Sequence, residues 1–248
     1  MLHAELLPVS GTSLSDLDMA RLEDYLGQII ADPNVSAGPE GWTKRLVALG
    51  FMAERPEGGA VCTIAGTVLF ARRPRRALRQ AGVRWMAFEG PDMSYAALDE
   101  PMVGLWRTQD GHRSLEQGGL LERLVERMRP FVSDEAVDLS DAVRRDRRWH
   151  YPVPALREAL VNAFAHRDWT RVEDVEVIRY GDRLEVESPG ALQNSMTVEK
   201  VLAGQRSPRN PVTVDVLRDY GYVDARGMGV RTKIVPSVMQ ASGIAPEF

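Results

Sequence analysis

Residues 154–167 alternate polar and apolar positions on a fixed step. Glu158, Asn162 and His166 recur at every fourth residue, while Leu156, Leu160 and Phe164 recur two residues out of step with them. At about 100° per residue, a step of four turns only about 40°, so each set forms its own stripe on opposite sides of a helix. Ala159, Val161 and Ala163 fill the flanks. The spacing predicts a helix over 154–167, with little surface suited to water and a polar row facing a cleft. A loop laid over the helix and hydrogen-bonded to the same three residues would fit the pattern too.

Upstream, SLSDLDMARLEDYLGQII predicts a helix beginning near Ser15, with Leu22, Leu26 and Ile29 inward and Asp32, Pro33 and Asn34 ending it. GWTKRLVALGF predicts a second helix ending at Gly50, and GGAVCTIAGTVLFA reads as extended, β-branched chain after a Gly-Gly turn. Helix, helix and an extended pair suit a small winged-helix-like unit. Three helices packed on any sheet would read the same way. GVRWMAFEG predicts a strand and GPDMSYAALDEP a loop. SLEQGGLLERLVERMRPFV predicts a long helix with Leu121, Leu124, Val125 and Met128 inward and Pro130 at its end, and DAVRRDRRWHYPVP reads as a connector.

Beyond the connector the elements shorten. VEDVEVIRYGDRLEVESPG predicts two strands about a Tyr180-Gly181-Asp182 turn, with Val175, Val177 and Arg179 alternating on the first and Leu184 and Val186 on the second. TVEKVLAG and NPVTVDVLRDYG predict short helices closed by Gly204 and Gly221, and VRTKIVPSVMQASG a last helix that Pro236 kinks. The order is that of an α+β fold. The division falls near residue 140, giving an N-terminal α/β segment over 1–140 and a second region over 141–248, unless strands from both halves share one sheet.

Composition narrows the class. With 44% hydrophobic and 27% charged residues, no bilayer-length apolar run and no basic-then-apolar leader, the chain reads as a cytoplasmic globular protein. The single cysteine, Cys62, excludes an internal disulfide and any cysteine-based zinc site from this chain alone, and reads as a buried structural thiol. A net charge of -4 gives no overall attraction to nucleic acid, although RRPRRALR (72–79) and RRDRR (144–148) keep local DNA contact open.

Four blocks then carry a resemblance: YPVPALREALVNAFAHRDW, DRLEVESPGAL, SPRNP and DARGMGVRTKIVPSVMQASG. Together they resemble the C-terminal region of proteins described as RecG-like ATP-dependent DNA helicases, a family similar to the GHKL ATPase domain of gyrase, MutL and histidine kinases. The likeness is close from about 151 to 248 and loose before. It implies a GHKL-like two-layer α/β sandwich, a mixed and mainly antiparallel sheet with helices on one face, and ATP with Mg2+ as cofactors. By the same resemblance Glu158 is the general base that prepares water, Asn162 the Mg2+ ligand, and His166 a phosphate contact. Gly227 and Gly229 match the second glycine box, where backbone and a helix start approach an anion, with Arg226 or Lys233 adding charge. Arg209 and Asn210 fall where related ATPases carry a mobile lid.

One block departs from the pattern. Ser188-Pro189-Gly190 stands where the family's D-x-G box reads adenine, and a hydroxyl accepts less strongly than a carboxylate. The resemblance therefore implies nucleotide binding more firmly than adenine selectivity. No P-loop occurs anywhere in the sequence, so the chain reads as a regulatory nucleotide-binding domain, with an Mg2+-dependent ATPase an open question, and not as a motor helicase. The alternative is a nucleic-acid-binding transcriptional regulator whose nucleotide pocket has decayed. GHKL relatives often dimerise, which adds a homodimer to the expected partners, and a membrane is not among them. Relatives usually carry an AlbA-like, Schlafen-type domain ahead of this region. None is read here, as in a fragment or a shortened protein.

Overall fold

The computed structural model describes residues 3–34, 38–89, 92–110, 112–137, 145–193, 196–223 and 229–248, with backbone alone at 109, 134–137 and 145–149. Helix α1 (Met19–Glu23) starts later than Ser15, because Asp18 caps it by accepting from the amides of Ala20 and Arg21. It widens into a π-helical turn over Asp24–Ile29, with Leu22 and Leu26 fully buried. α2 (Pro39–Ala48) leads into β1 (Met52–Glu54) and β2 (Ala60–Cys62), an antiparallel hairpin turned by Gly58 and Gly59 at φ 95° and 77°.

Four sequence expectations are corrected here. The extended run ends at Cys62: Thr63 caps α3 (Ile64–Phe70), every residue of which is buried. A helix enclosed on all sides carries no amphipathic period, which is why its β-branched residues read as strand. After α4 (Pro74–Ala77) and β3 (Val83–Glu89), the supposed loop is β4 (Asp92–Leu98), paired antiparallel with β3. The start of the supposed long helix is instead a strand: β5 (Leu105–Gln109) and β6 (His112–Gln117) form a hairpin, and α5 (Leu120–Val132) begins where Glu122 Oε2 accepts from the Gly119 amide at 2.9 Å. The connector also contains a strand, β8 (Arg145–Trp149), antiparallel to β7 (Ser133–Val137).

The last third follows the expected order: α6 (Val153–Ala165), β9 (Val175–Arg179), β10 (Leu184–Glu187), α7 (Val198–Leu202) and α8 (Pro211–Asp219). A π-helical segment, Val230–Ile234, precedes α9 (Val235–Ser242), so the wide turn lies just ahead of Pro236, which has no amide to donate.

The principal sheet runs β10-β9-β3-β4, with β3 parallel to β9 and the other pairs antiparallel. Strands from both sides of residue 140 therefore share one sheet, with Trp85 opposite Val177. Val83, Trp85, Ala87, Val175 and Val177 are buried, and Trp85 packs on Phe131 of α5 with ring centroids 5.8 Å apart. Arg84, Met86 and Phe88 alternate onto the other face. The architecture is an α+β sandwich built on mainly antiparallel sheets. Among the described residues no helix is long and apolar enough to cross a membrane.

Candidate functional site

α6 forms because Pro152 and Pro154 sit at its start, where a missing amide costs nothing, and because Leu156, Leu160 and Phe164 are 5%, 1% and 1% exposed on its inner side. It ends at Ala165, and His166 leaves the helical conformation at φ −109°, ψ 3°. The polar row therefore emerges along the helix: Glu158 is buried, Asn162 half-buried and His166 exposed.

Glu158 is held from three directions. Its Oε1 accepts from Asn162 Nδ2 at 3.3 Å, and its Oε2 lies 3.4 Å from Lys233 Nζ. The third neighbour is Gly229, where any β-carbon would overlap the carboxylate. Gly229 has φ −57°, so a glycine is required for close approach and not for backbone conformation. The carboxylate thus lies beside the residue that opens the last helical segment. Asn162 turns its amide nitrogen to Glu158, which leaves Oδ1 as the hard oxygen. Gly227 and Arg226 lie outside the described residues.

A second group gathers at the other end of α6, about two turns away. Ser188 Oγ donates to the Ala163 carbonyl at 2.7 Å, and Asn210 Nδ2 donates to the carbonyls of Ala165 at 3.1 Å and Arg167 at 2.8 Å. These side chains satisfy the carbonyls that the helix end leaves open. Asn210 is wholly buried. Gly190, at φ 110°, leaves room for Arg209, whose Nη1 is 3.5 Å from Asp168 Oδ2 and whose Nη2 donates to the Ala191 carbonyl at 2.6 Å. Burial, and then the Arg209 charge, hold the His166 imidazole below its usual range, although the side chain keeps an exposed side.

Two residues that sequence reasoning missed complete this corner. Glu5 is wholly buried and accepts from the amides of Val212 at 2.8 Å and Thr213 at 2.9 Å, and from Thr213 Oγ1 at 2.7 Å. It thereby fills the anion position at the start of α8, next to the lid-like SPRNP segment. Arg167 is also fully buried: it stacks on Trp169 at 4.5 Å and donates to the carbonyls of Gln80 at 2.6 Å, Arg171 at 3.0 Å and Glu173. Burial pulls its guanidinium down to about 10. Nothing local distinguishes Glu5 from a surface charge, since its partners lie 207 and 208 positions away, whereas Arg167 combines near partners, Arg171 and Glu173, with Gln80, 87 positions away.

The basic run 72–79 divides. Arg72 donates to the carbonyls of Leu17 and Ser15, and Arg75 pairs with Asp174 at 3.1 Å, while Arg73, Arg76 and Arg79 are exposed. The side chains of 144–148 lie outside the described residues. Cys62 is buried and its thiol is pushed up to about 11, first by burial, as suits a structural thiol. Among the described residues no three His, Cys, Asp or Glu side chains are grouped to hold a metal.

Residues 173–248 match the family described as "Putative ATP-dependent DNA helicase recG C-terminal", in agreement with the resemblance read from the sequence. The match begins after α6, so it takes in Ser188, Gly190, Arg209, Asn210, Gly227 and Gly229 but not Glu158, Asn162 or His166. The chain is also similar to the crystal structure of the DIP2311 protein from Corynebacterium diphtheriae, a Northeast Structural Genomics Consortium target, at 25% identity and a TM-score of 0.60. That similarity covers 98% of this chain and 44% of the other, so this chain spans less than half the length of that protein. A comparison with curated proteins finds no match.

Proposed function

We propose that this chain, whose residues 173–248 carry the HATPase-like family match, is an ATP-binding domain that acts as a regulatory switch and not as a motor. The observation that carries the proposal is the meeting of Glu158, hydrogen-bonded by Asn162 one turn along the helix, with Gly229, the glycine that opens another helix. The donor set fits the group. Asn162 Oδ1 is a hard oxygen of the kind Mg2+ takes, and Mg2+ held by so few protein ligands draws the rest from phosphate and water. Bound Mg2+ would supply a cation that offsets polyphosphate charge.

The chain's own residues then divide the work. Asn162 would hold the cation. Lys233, 3.4 Å from Glu158, would supply a charge for a phosphate. On this reading Glu158 would have to exchange its contacts with Asn162 and Lys233 for a water before hydrolysis. Ser188 spends its proton on the Ala163 carbonyl and offers a base only its lone pairs, so ATP is weakly preferred over GTP. Arg209 lies near His166, and its guanidinium would supply charge to the distal end of a bound anion, with the neutral imidazole able to donate one hydrogen bond.

A thermal-shift titration with Mg-ATP tests the proposal. Nucleotide at 100 times its dissociation constant stabilises the fold by about 2.7 kcal/mol, and Asn162→Ala loses most of that response. No shift at millimolar nucleotide, or an undiminished response in Asn162→Ala, overturns it.

The nucleic-acid reading rests on Arg73, Arg76 and Arg79, which are exposed within one short stretch. α2 and the β1–β2 hairpin do not extend that basic surface: their exposed charges, Glu40, Lys44, Glu54, Arg55 and Glu57, are mixed in sign. Duplex DNA binding that weakens steeply with salt would favour this second reading.

A further inference from the structure

The two edges of the principal sheet are built differently. β10 has four residues and carries Glu185 and Glu187, with Arg183 just ahead of it 2.6 Å from Glu185. Charges of this kind discourage another strand from pairing with an edge. β4 has seven residues, pairs with β3 without a register shift, and from Met93 to Leu98 contains neither charge nor proline. Its only sheet neighbour among the described residues is β3. Met93 and Tyr95 are 56% and 55% exposed and share a face with Phe88 and Met86, the residues opposite them on β3. A long, regular and uncharged edge flanked by apolar side chains is a template for strand addition.

We propose that β4 pairs antiparallel with β4 of a second copy of this chain about a two-fold axis at Tyr95, joining two four-stranded sheets into one of eight. The occupant follows from the strand's self-complementarity. In that register Tyr95 meets its own counterpart, Met93 meets Ala97, Ser94 meets Ala96, and Asp92 meets Leu98. Met93, the largest apolar residue beside the axis, meets a small one, and the one acidic residue of β4 meets no like charge. A pair of seven-residue strands buries less than the roughly 1,200–2,000 Å² of a stable interface, so the dimer is weak and concentration-dependent. The inference does not depend on nucleotide binding.

Sedimentation equilibrium of the full chain from about 1 to about 200 µM tests it, across the range where micromolar dissociation constants appear. The mean mass should climb from 27.6 kDa towards twice that value. Tyr95→Lys and Tyr95→Glu should each remain monomeric with unchanged circular dichroism, since the side chain is exposed, and an equimolar mixture should dimerise because lysine then faces glutamate. A wild-type chain that stays monomeric, or single variants that dimerise as it does, overturns the surface. A mixture that stays monomeric overturns the register.

Discussion

The Glu158 carboxylate rests on Gly229, with no room between them for a methyl group. Because the backbone at Gly229 is helical, alanine there would be favoured by about 0.5–1 kcal/mol on backbone grounds, so any net cost of Gly229→Ala comes from the displacement of Glu158. We expect a loss of about 1–3 kcal/mol, the usual range for overpacking. Combining it with Glu158→Ala makes room for the methyl, so the double variant should fall short of the sum by about 1 kcal/mol or more in chemical denaturation. Additive losses would mean that the two residues do not share a contact.

Asn210 serves two roles that can be separated. By position it lies in the lid-like segment, whereas its side chain clamps the end of α6 through the carbonyls of Ala165 and Arg167. Asn210→Ala leaves those buried acceptors without partners and should cost about 1–3 kcal/mol. If the clamp is its whole role, the Mg-ATP thermal shift, measured relative to the variant's own midpoint, stays unchanged. A selective loss of the nucleotide response with unchanged stability would assign Asn210 to the ligand instead.

These two residues show where the sequence is legible. The stripe on α6 could be read because helical periodicity is local, and the hairpin of β9 and β10 because alternation about Gly181 is local as well. α3 was hidden by complete enclosure, and β4 because Met93 and Tyr95 face outward while Ser94 and Ala96 are small on the inner side, the reverse of a half-buried strand. The clamp at the end of α6 joins residues 25 and 45 positions apart, and the Glu5 contact spans 207 and 208, separations at which no spacing rule operates. Of the candidate site, the residues borne on α6 could be read, whereas the use of Ser188 and Asn210 as helix-end partners could not.

His166 reports on the open end of the polar row. Burial, followed by repulsion from Arg209, holds its imidazole below 6.5. The folded state then resists protonation, so its contribution to stability is full above that value and is lost as pH falls through the window beneath it. NMR titration of the ring should give a midpoint under 6.5, raised in part by Arg209→Gln. If His166 also contacts phosphate, saturating Mg-ATP raises the midpoint, because a nearby anion favours the imidazolium. A midpoint at or above 6.5 in the free protein would contradict the packing around the ring.

Glu5 gives a dependence of the opposite sense. Burial raises its carboxyl above the ordinary 4.5, while the Thr213 hydroxyl, the amides of Thr213 and Val212, and His3 pull it partly back. A raised value means that the folded state holds the proton more tightly than the unfolded chain does. The contribution of Glu5 is therefore full below about 4.5 and declines as pH rises through the window up to the folded value. Glu5→Gln keeps a carbonyl oxygen for the same donors but does not titrate. Plotted against pH, the stability of the wild type minus that of Glu5→Gln should fall from about pH 4 upward and then level. Glu5→Ala should be worse than Glu5→Gln at every pH, by about 1–3 kcal/mol, because it leaves buried amides unpaired at the start of α8. A difference that climbs with pH instead would show that the three donors outweigh burial.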